Sequence, residues 1–454
     1  MGTTEILARH IVETTYDALP AEVVRAAKDI MLDGIGVMLA GSREEPPRIA
    51  AEYAREMGGR SDCTVFGHGF KTSPPMAAFV NGVSGHVLDY EPMWHPATHA
   101  TSPTLPAILA LGEVREVSGK DAITALAVAF EVQGRLRLGG FATERIERTG
   151  FHPPGTVGPL GAASAGAMLL GLDVQQTRWA LGLAASRSGA LAANIGSMAK
   201  SSHCGNAGRM GLEAALLAAK GFTANEDIIE TPSGWARVFH RDGFDFAATE
   251  AFGKPWRMVD PGLATKKHPS QYGTHRGIDA ALELSRMDGF ETAAIERVLI
   301  RGPVMSYIDR PFPKTGLEGK FSYQYTVAAA LLDGQIGIDT FRDSRRFAPE
   351  MEAMLGKVEM RMDAAIPANF EEMWVEVTVR ARDGRELQAR CDRPRGIWGN
   401  PLTAEERLTK FRNTAGVLLG SADVEEARDL IERLETVPRL RDLIAVLQRG
   451  RPRA

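Results

Sequence analysis

The chain has three cysteines in 454 residues, Cys63, Cys204 and Cys391, and no two of them form a CxxC pair. A disulfide framework or a zinc ribbon is therefore not expected, and a reducing compartment fits. An excess of positive charge is also missing. Lys and Arg number 53 against 57 Asp and Glu, a formal net charge of −4, which argues against a general nucleic-acid binder. No apolar run of ~18 residues occurs, so no transmembrane helix is expected. The opening residues MGTTEILARHIVETTYDALP carry acids and lack the apolar core of a signal peptide, which points to the cytoplasm.

Several catalytic signatures are lacking as well. His95 and His99 have the i,i+4 spacing of a helical zinc pair, but Pro96 stands where HExxH needs Glu and opposes a continuous helix. No metal is expected. GIGVMLAG at 34–41 resembles half a dinucleotide fingerprint, yet it lies inside a helical pattern with no strand before it. P-loop, GxSxG and kinase motifs do not occur.

What remains is an ordinary globular composition, 44% hydrophobic and 24% charged, over a length that suits two domains. The first 260 or so residues read as helical. Val23, Val24, Ala27, Ile30 and Met31 fall near one face of a helix that Gly41 would stop. The segments GPLGAASAGAMLLG, ALGLAASRSGALAA and GRMGLEAALLAAKG are nearly apolar all round, as helices buried on every side are. After about residue 290 the period changes. IERVLIR (295–301) and WVEVTV (374–379) alternate like half-buried strands, and Asp383-Gly384 between two alternating runs predicts a hairpin. Helical, charged periodicity returns from about Thr403. The expected organisation is mainly α with a smaller α+β part: a helical domain over 1–264, an α+β domain over 265–402, and a helical tail over 403–454 that packs back on the first domain.

Seven of the ten histidines fall in short polar or Gly/Pro-rich stretches: His86, His95, His99, His152, His203, His268 and His275. Loops and element ends are where binding groups concentrate, and imidazole is the common acid or base near neutral pH. In GHVLDYEPMWHPATHATSP, Asp89 precedes His95 and His99, and a carboxylate beside an imidazole can orient it. In TGFHPPGTVGPLG, His152 stands before Pro153, which pushes it out of the helical region. NIGSMAKSSHCGNAGRMG places Lys200 and His203 three apart, on one face if helical. ATKKHPSQYGTHRG holds Lys266, Lys267, His268, His275 and Arg276, and FSYQYTVAAA carries Tyr323 and Tyr325 into an apolar helix. Cations recurring beside histidines suit a di- or tricarboxylate ligand.

Together these stretches resemble the MmgE/PrpD family, which includes 2-methylcitrate dehydratase, cis-aconitate decarboxylase and iminodisuccinate epimerase. The resemblance runs from LDGIGVMLAG to NPLTAEERLTKFRNTA and is carried most specifically by AAFVNGVSGHVLDY, HPATH, GFHPPGTVGPLGAA, KSSHCGNAGRMG, the Lys266–His275 stretch and FSYQYTVAAALLDG. It implies a large helical domain with an inserted α+β lid domain, a homodimer, and a cofactor-independent lyase on a short polycarboxylate. It also implies that Asp89, His99, His152, Lys200, Lys266 and Tyr325 are catalytic, with Met93, His95, His203 and His275 binding substrate. Within that assignment Lys200 and Lys266 clamp carboxylates, His99 and His152 transfer protons, Asp89 orients one of them, and Tyr325 donates a hydrogen bond or a proton. Met93 stands where the decarboxylase has a threonine. The same residues would also serve an epimerase of an amino- or imino-dicarboxylate, and a non-catalytic polycarboxylate-binding homologue is a further reading.

Overall fold

The computed structural model describes residues 1–94, 96–141 and 150–450, with Trp94 described by its backbone alone. His95 lies outside the described residues. By its internal contacts the chain divides into a helical unit (Met1–Val87, Glu91–Ala264 and Thr403–Ala454) and an α+β unit (Leu88–Tyr90 and Thr265–Leu402).

The helical unit begins with α1 (Thr3–Glu13), α2 (Ala21–Gly41) and α3 (Glu45–Met57), then continues through α4 (Pro74–Val87), α5 (Thr101–Val114) and α6 (Gly119–Gly139) to α7 (Pro153–Leu169), α8 (Val174–Ala185) and α9 (Ala199–Ala218). On α2 the expected face is buried at Val23, Ala27, Ile30 and Met31, while Val24 is only partly covered. α7 is buried along Pro153–Ala167, as its small apolar residues require. Its Pro153 sits in the first turn, where a missing N–H costs nothing.

Two readings need correction. The stretch ALGLAASRSGALAA is not one buried helix: α8 ends at Ala185, Gly189 and Ala190 take φ of 159° and 142°, and Leu191 is 60% exposed. The chain leaves the helical conformation beyond Ser186 despite its alanines. Strands also occur before residue 290, as two small antiparallel ladders: β1 (Cys63–Val65) with β2 (Phe70–Thr72), and β3 (Met93–Trp94) with β4 (Leu263–Ala264). Runs of two or three residues are too short to leave an alternating signal.

The α+β unit is built on a four-stranded sheet. It contains α10 (His275–Leu284), β5 (Ile295–Gly302), α11 (Tyr323–Asp333), α12 (Pro349–Leu355), β6 (Val358–Met362), β7 (Val375–Ala381) and β8 (Glu386–Cys391). The strand order is β6-β5-β7-β8, with β5–β6 parallel and the other pairs antiparallel. Val298, Ile300, Val375, Val377 and Val379 are buried, and α10 packs against β7 and β8. The β7–β8 connection turns at Asp383-Gly384 with Gly384 at φ 87°, a left-handed position that suits glycine. α11 ends at Gly334, also left-handed.

The tail completes the helical unit with α13 (Ala404–Ala415), α14 (Ser421–Glu432) and α15 (Leu440–Leu447). A capping box between Thr403 and Glu406 starts α13. Phe411 and Ala415 join the core that contains Ile30 and Met31, and Lys410 makes a buried ion pair with Asp33 of α2 at 2.7 Å. No helix among the described residues is long and apolar enough to cross a membrane.

Candidate active site

A close approach of two helices builds the centre of the helical unit. A Cβ on Gly82 of α4 would lie 2.8 Å from Gly205 Cα of α9, and one on Gly205 would lie 2.5 Å from Phe79 O. Side chains there would force the helices apart. With glycine at both positions, His86, one turn beyond Gly82, reaches the first turns of α9, where Lys200, His203 and Cys204 sit. His99 lies just before α5. His152 is the N-cap of α7 in an extended conformation (φ −82°, ψ 116°), as its place before Pro153 demands. The starts of α5, α7 and α9 therefore all lie beside these side chains, and helix N-termini carry partial positive charge.

The imidazoles form one cluster. Ring centroids are 4.8 Å apart for His86–His99, 5.6 Å for His86–His152, 6.4 Å for His99–His152 and 5.2 Å for His152–His203. His152 Nδ1 and His203 Nδ1 share a proton position at 3.1 Å. Lys200, 6% exposed, donates from Nζ to His86 Nε2 at 3.0 Å. Glu91 is completely buried; its Oε1 is hydrogen-bonded to His86 Nδ1, accepts from Ser102 Oγ at 2.9 Å, and lies 3.3 Å from His99 Nδ1.

Burial sets the charge states. It lowers His86 to about 4, with the Lys200 ammonium adding to the effect and Glu91 opposing it. Burial and Lys200 bring His203 to about 4, and burial, Lys200 and the neighbouring imidazoles hold His152 well below its ordinary value. For Glu91, burial alone would favour the neutral acid, but the His86 and His99 N–H groups facing its Oε1 oppose it and keep the carboxyl well below the usual range. The cluster thus presents neutral His86, His152 and His203 around an anionic Glu91 and the Lys200 side chain. His86, Glu91 and Cys204 have donor atoms within 4.8 Å of one another and form the kind of set that holds a metal.

The α+β unit holds a second polar group. Lys266, fully buried, donates from Nζ to Asp89 Oδ1, to Asp89 O at 2.7 Å and to Ser270 O at 3.1 Å. Asp89 has φ 50°, a strained value for a residue with a side chain. Lys320 holds the same turn through Leu88 O at 3.3 Å and also reaches Pro269 O at 3.1 Å. His268 Nε2 pairs with Asp279 at 2.9 Å. His275 is fully buried beside His268 and Tyr272, and burial, with His268 and Lys266, keeps it neutral. Tyr325 is fully buried, and its hydroxyl donates to Thr340 O.

Of the residues expected to act on substrate, the structure gathers His99, His152, Lys200 and His203 in the helical unit and places Asp89, Lys266 and His275 together in the α+β unit. Met93, 3% exposed, is fixed in β3 opposite Ala264. The carboxylate that meets imidazoles in the helical unit is Glu91, whereas Asp89 pairs with Lys266. Tyr325 has its hydroxyl engaged by backbone. Sequence reasoning missed Glu91 and gave His86 no role. The available signal was GHVLDYE itself, a histidine and an acid five residues apart beside HPATH.

Comparison with known proteins shows the family. Residues 5–247 match the MmgE/PrpD N-terminal domain and residues 268–436 the MmgE/PrpD C-terminal domain. Cis-aconitate decarboxylase of Mus musculus is 33% identical over 446 residues, covering 96% of this chain and 91% of the relative. The Homo sapiens protein of that name is 33% identical over 443 residues, covering 95% and 92%. That of Aspergillus terreus is 25% identical over 481 residues, covering 98% and 95%. The chain belongs to the MmgE/PrpD family.

Proposed function

We propose that this protein is a cofactor-independent lyase that decarboxylates cis-aconitate or a close tricarboxylate analogue. The observation that carries this reading is the cluster of neutral imidazoles and Lys200 beside three helix N-termini, in a chain that matches cis-aconitate decarboxylases along nearly its whole length. A trianion needs positive potential, and the lysine and helix ends supply it.

The chemistry follows from the substrate. Breaking the bond between the allylic CH2 carbon and its carboxylate releases CO2 and leaves an electron pair in a three-carbon allyl system. That pair ends on the carbon next to a remaining carboxylate, where one proton completes itaconate. Lys200 binds a retained carboxylate and stabilises the charge that spreads onto it. His99 or His152 delivers the proton. Lys266, with three N–H directions already directed at Asp89 and Ser270, holds the 88–90 turn; a carboxylate would have to displace one of those acceptors. A cytoplasmic homodimer goes with the proposal, and sedimentation of the purified chain would check the dimer.

Proton NMR of the protein with cis-aconitate in D2O tests the reading. It expects new methylidene signals, CO2 release, and one deuterium in the product CH2 group. Solvent exchange without loss of CO2 would replace it with an epimerase, and no change in cis-aconitate or its analogues would overturn it.

A further inference from the structure

We infer that Glu91 and His86 are positioning residues for the reaction: Glu91 fixes the tautomers of His86 and His99, and His86, so fixed, seats Lys200. The inference rests on the function proposed above for what Lys200 and His99 do, but not for the geometry.

Glu91 serves poorly as a structural carboxylate. Glu131, also buried in the helical unit, uses both oxygens: Oε1 accepts from Arg135 Nε at 2.6 Å and Gly253 N at 2.9 Å, and Oε2 from Arg257 N at 2.7 Å. It ties a chain segment to α6 and has its acceptors filled. Glu91 is buried to the same degree, yet the three neighbours described above all approach Oε1, and Oε2 accepts from none of the described residues. Among the described residues, no arginine and no backbone N–H donates to it. Its partners are a hydroxyl and two imidazoles of the candidate site. Burying an ionised group this way is costly, and such groups concentrate at functional sites.

The hydrogen bonds also have a direction. An ionised carboxylate only accepts, so His86 must carry its hydrogen on Nδ1. A neutral imidazole then has a lone pair on Nε2. That lone pair receives the Lys200 N–H at 3.0 Å. The opposite tautomer would set N–H against N–H on the lysine side and lone pair against carboxylate on the other. A doubly protonated ring would face the ammonium with a second donor. One protonation state alone satisfies both ends, so Glu91, His86 and Lys200 form a directed row whose last member is the cation that meets substrate. His99 presents Nδ1 to the same Glu91 oxygen at 3.3 Å, which favours hydrogen on Nδ1 and makes Nε2 the nitrogen for proton transfer. The carboxylate also stabilises an imidazolium there when it forms, as an orienting acid does for a catalytic histidine.

Because Glu91 serves both histidines and His86 serves only the lysine, the two substitutions separate. Glu91→Gln keeps the shape but removes the charge that selects the tautomers. It is expected to lower kcat on cis-aconitate by about 10²-fold and, because the His86 seat of Lys200 loosens with it, to raise KM as well, whereas His86→Phe acts on KM alone. His86→Phe keeps a ring but removes the seat, and is expected to raise KM by at least about tenfold. A Glu91→Gln enzyme with wild-type kcat, or a His86→Phe enzyme with wild-type KM, would overturn the inference. A measurement on the unsubstituted protein covers the case in which a variant fails to fold. Nitrogen-15 spectra of histidine-labelled wild type at pH 7.5 should show the Nδ1–H tautomer at His86, identified by its loss in His86→Gln or, failing that, by its coupling to Lys200. The Nε2–H tautomer there would refute the seat. If the wild type leaves cis-aconitate unchanged, the function reading falls, and the tautomer spectrum still decides the geometry.

Discussion

Two buried lysines, one in each unit, are held in different ways. Lys266 is held directly by an ion pair with Asp89 and by two carbonyl oxygens, Asp89 O and Ser270 O. Lys200 is seated on a neutral imidazole, and the imidazole in turn is oriented by Glu91. A carboxylate in direct contact cancels an ammonium and locks it. An imidazole in contact gives direction and cancels less charge. The first arrangement suits a cation that holds a strained turn in place, and Asp89 has the positive φ of such a turn. The second suits a cation that must attract an anion.

The largest effect should come from breaking the two seats one at a time. Lys200→Met is expected to reduce turnover of cis-aconitate by about 10²–10³-fold, the scale for losing one donor to developing charge. Its melting temperature should move little. Lys266→Met removes the ammonium that pairs with buried Asp89, and breaking a buried pair from one side costs about 3–5 kcal/mol. The α+β unit should then unfold at visibly lower denaturant, and Asp89→Asn added to Lys266→Met should restore part of the loss. If Lys266→Met melted like the wild type while losing all activity, the contrast between the two lysines would collapse.

Much of this was legible in the sequence because it depends on local rules. The extended backbone of His152 follows from Pro153, the β7–β8 hairpin from Asp383-Gly384, and the buried α7 from a segment apolar on every side. The identity of the carboxylate at the imidazoles was not legible. Asp89 and Glu91 lie two residues apart in the same loop, and either could serve an imidazole. Glu91 Oε1 meets the His86 and His99 nitrogens while Asp89 Oδ1 pairs with Lys266, and those are tertiary facts. The exposed stretch after Ala185 was hidden for a related reason. Its alanines favour a helix, and only the backbone at Gly189 and Ala190 shows that the chain turns away.

The histidines sharpen the comparison through pH. His68, His86, His203 and His240 in the helical unit have folded-state values of about 4, and His152 is held well below its ordinary value, with burial the leading cause in each. Unfolded histidine titrates near ~6.5. Between about 6.5 and 4 the unfolded chain therefore binds more protons than the folded one. Stability from these groups is complete above about 6.5, falls as the pH drops toward 4, and loses nothing further from the four at about 4 below that. In the α+β unit, His275 shares this depression. Hydrogen exchange at pH 7.5 and pH 5 should accordingly show protection lost more in the helical unit. An equal loss in both units would mean that these imidazoles do not govern acid stability.

Substrate charge should act on the same imidazoles in the opposite sense. A tricarboxylate beside neutral His152 and His203 favours their charged forms, so binding should draw protons from solvent. Calorimetry of the unreactive analogue tricarballylate, in buffers of different ionisation enthalpy at pH 7, should report net proton uptake for the wild type. The effect should be reduced in Lys200→Met, whose site attracts the ligand less. Uptake undiminished in that variant would mean that the anion binds somewhere other than the Lys200 seat.

The smallest expected effect comes from Ser102, whose hydroxyl donates to Glu91 Oε1 at 2.9 Å. Ser102→Ala removes one neutral donor to an anion and leaves the His86 contact and the nearby His99 in place. A hydrogen bond to a charged group contributes about 1.5–3 kcal/mol, but Glu91 keeps its other partners, so a loss at the lower end is expected in a melt. Without that donor the carboxylate binds the two imidazoles more tightly, and the tautomers are unchanged. The rate should therefore fall only a few-fold, far less than in Glu91→Gln. If Ser102→Ala matched Glu91→Gln in kcat, the hydroxyl would be placing the carboxylate, and Glu91 would be one member of a longer row that starts on α5.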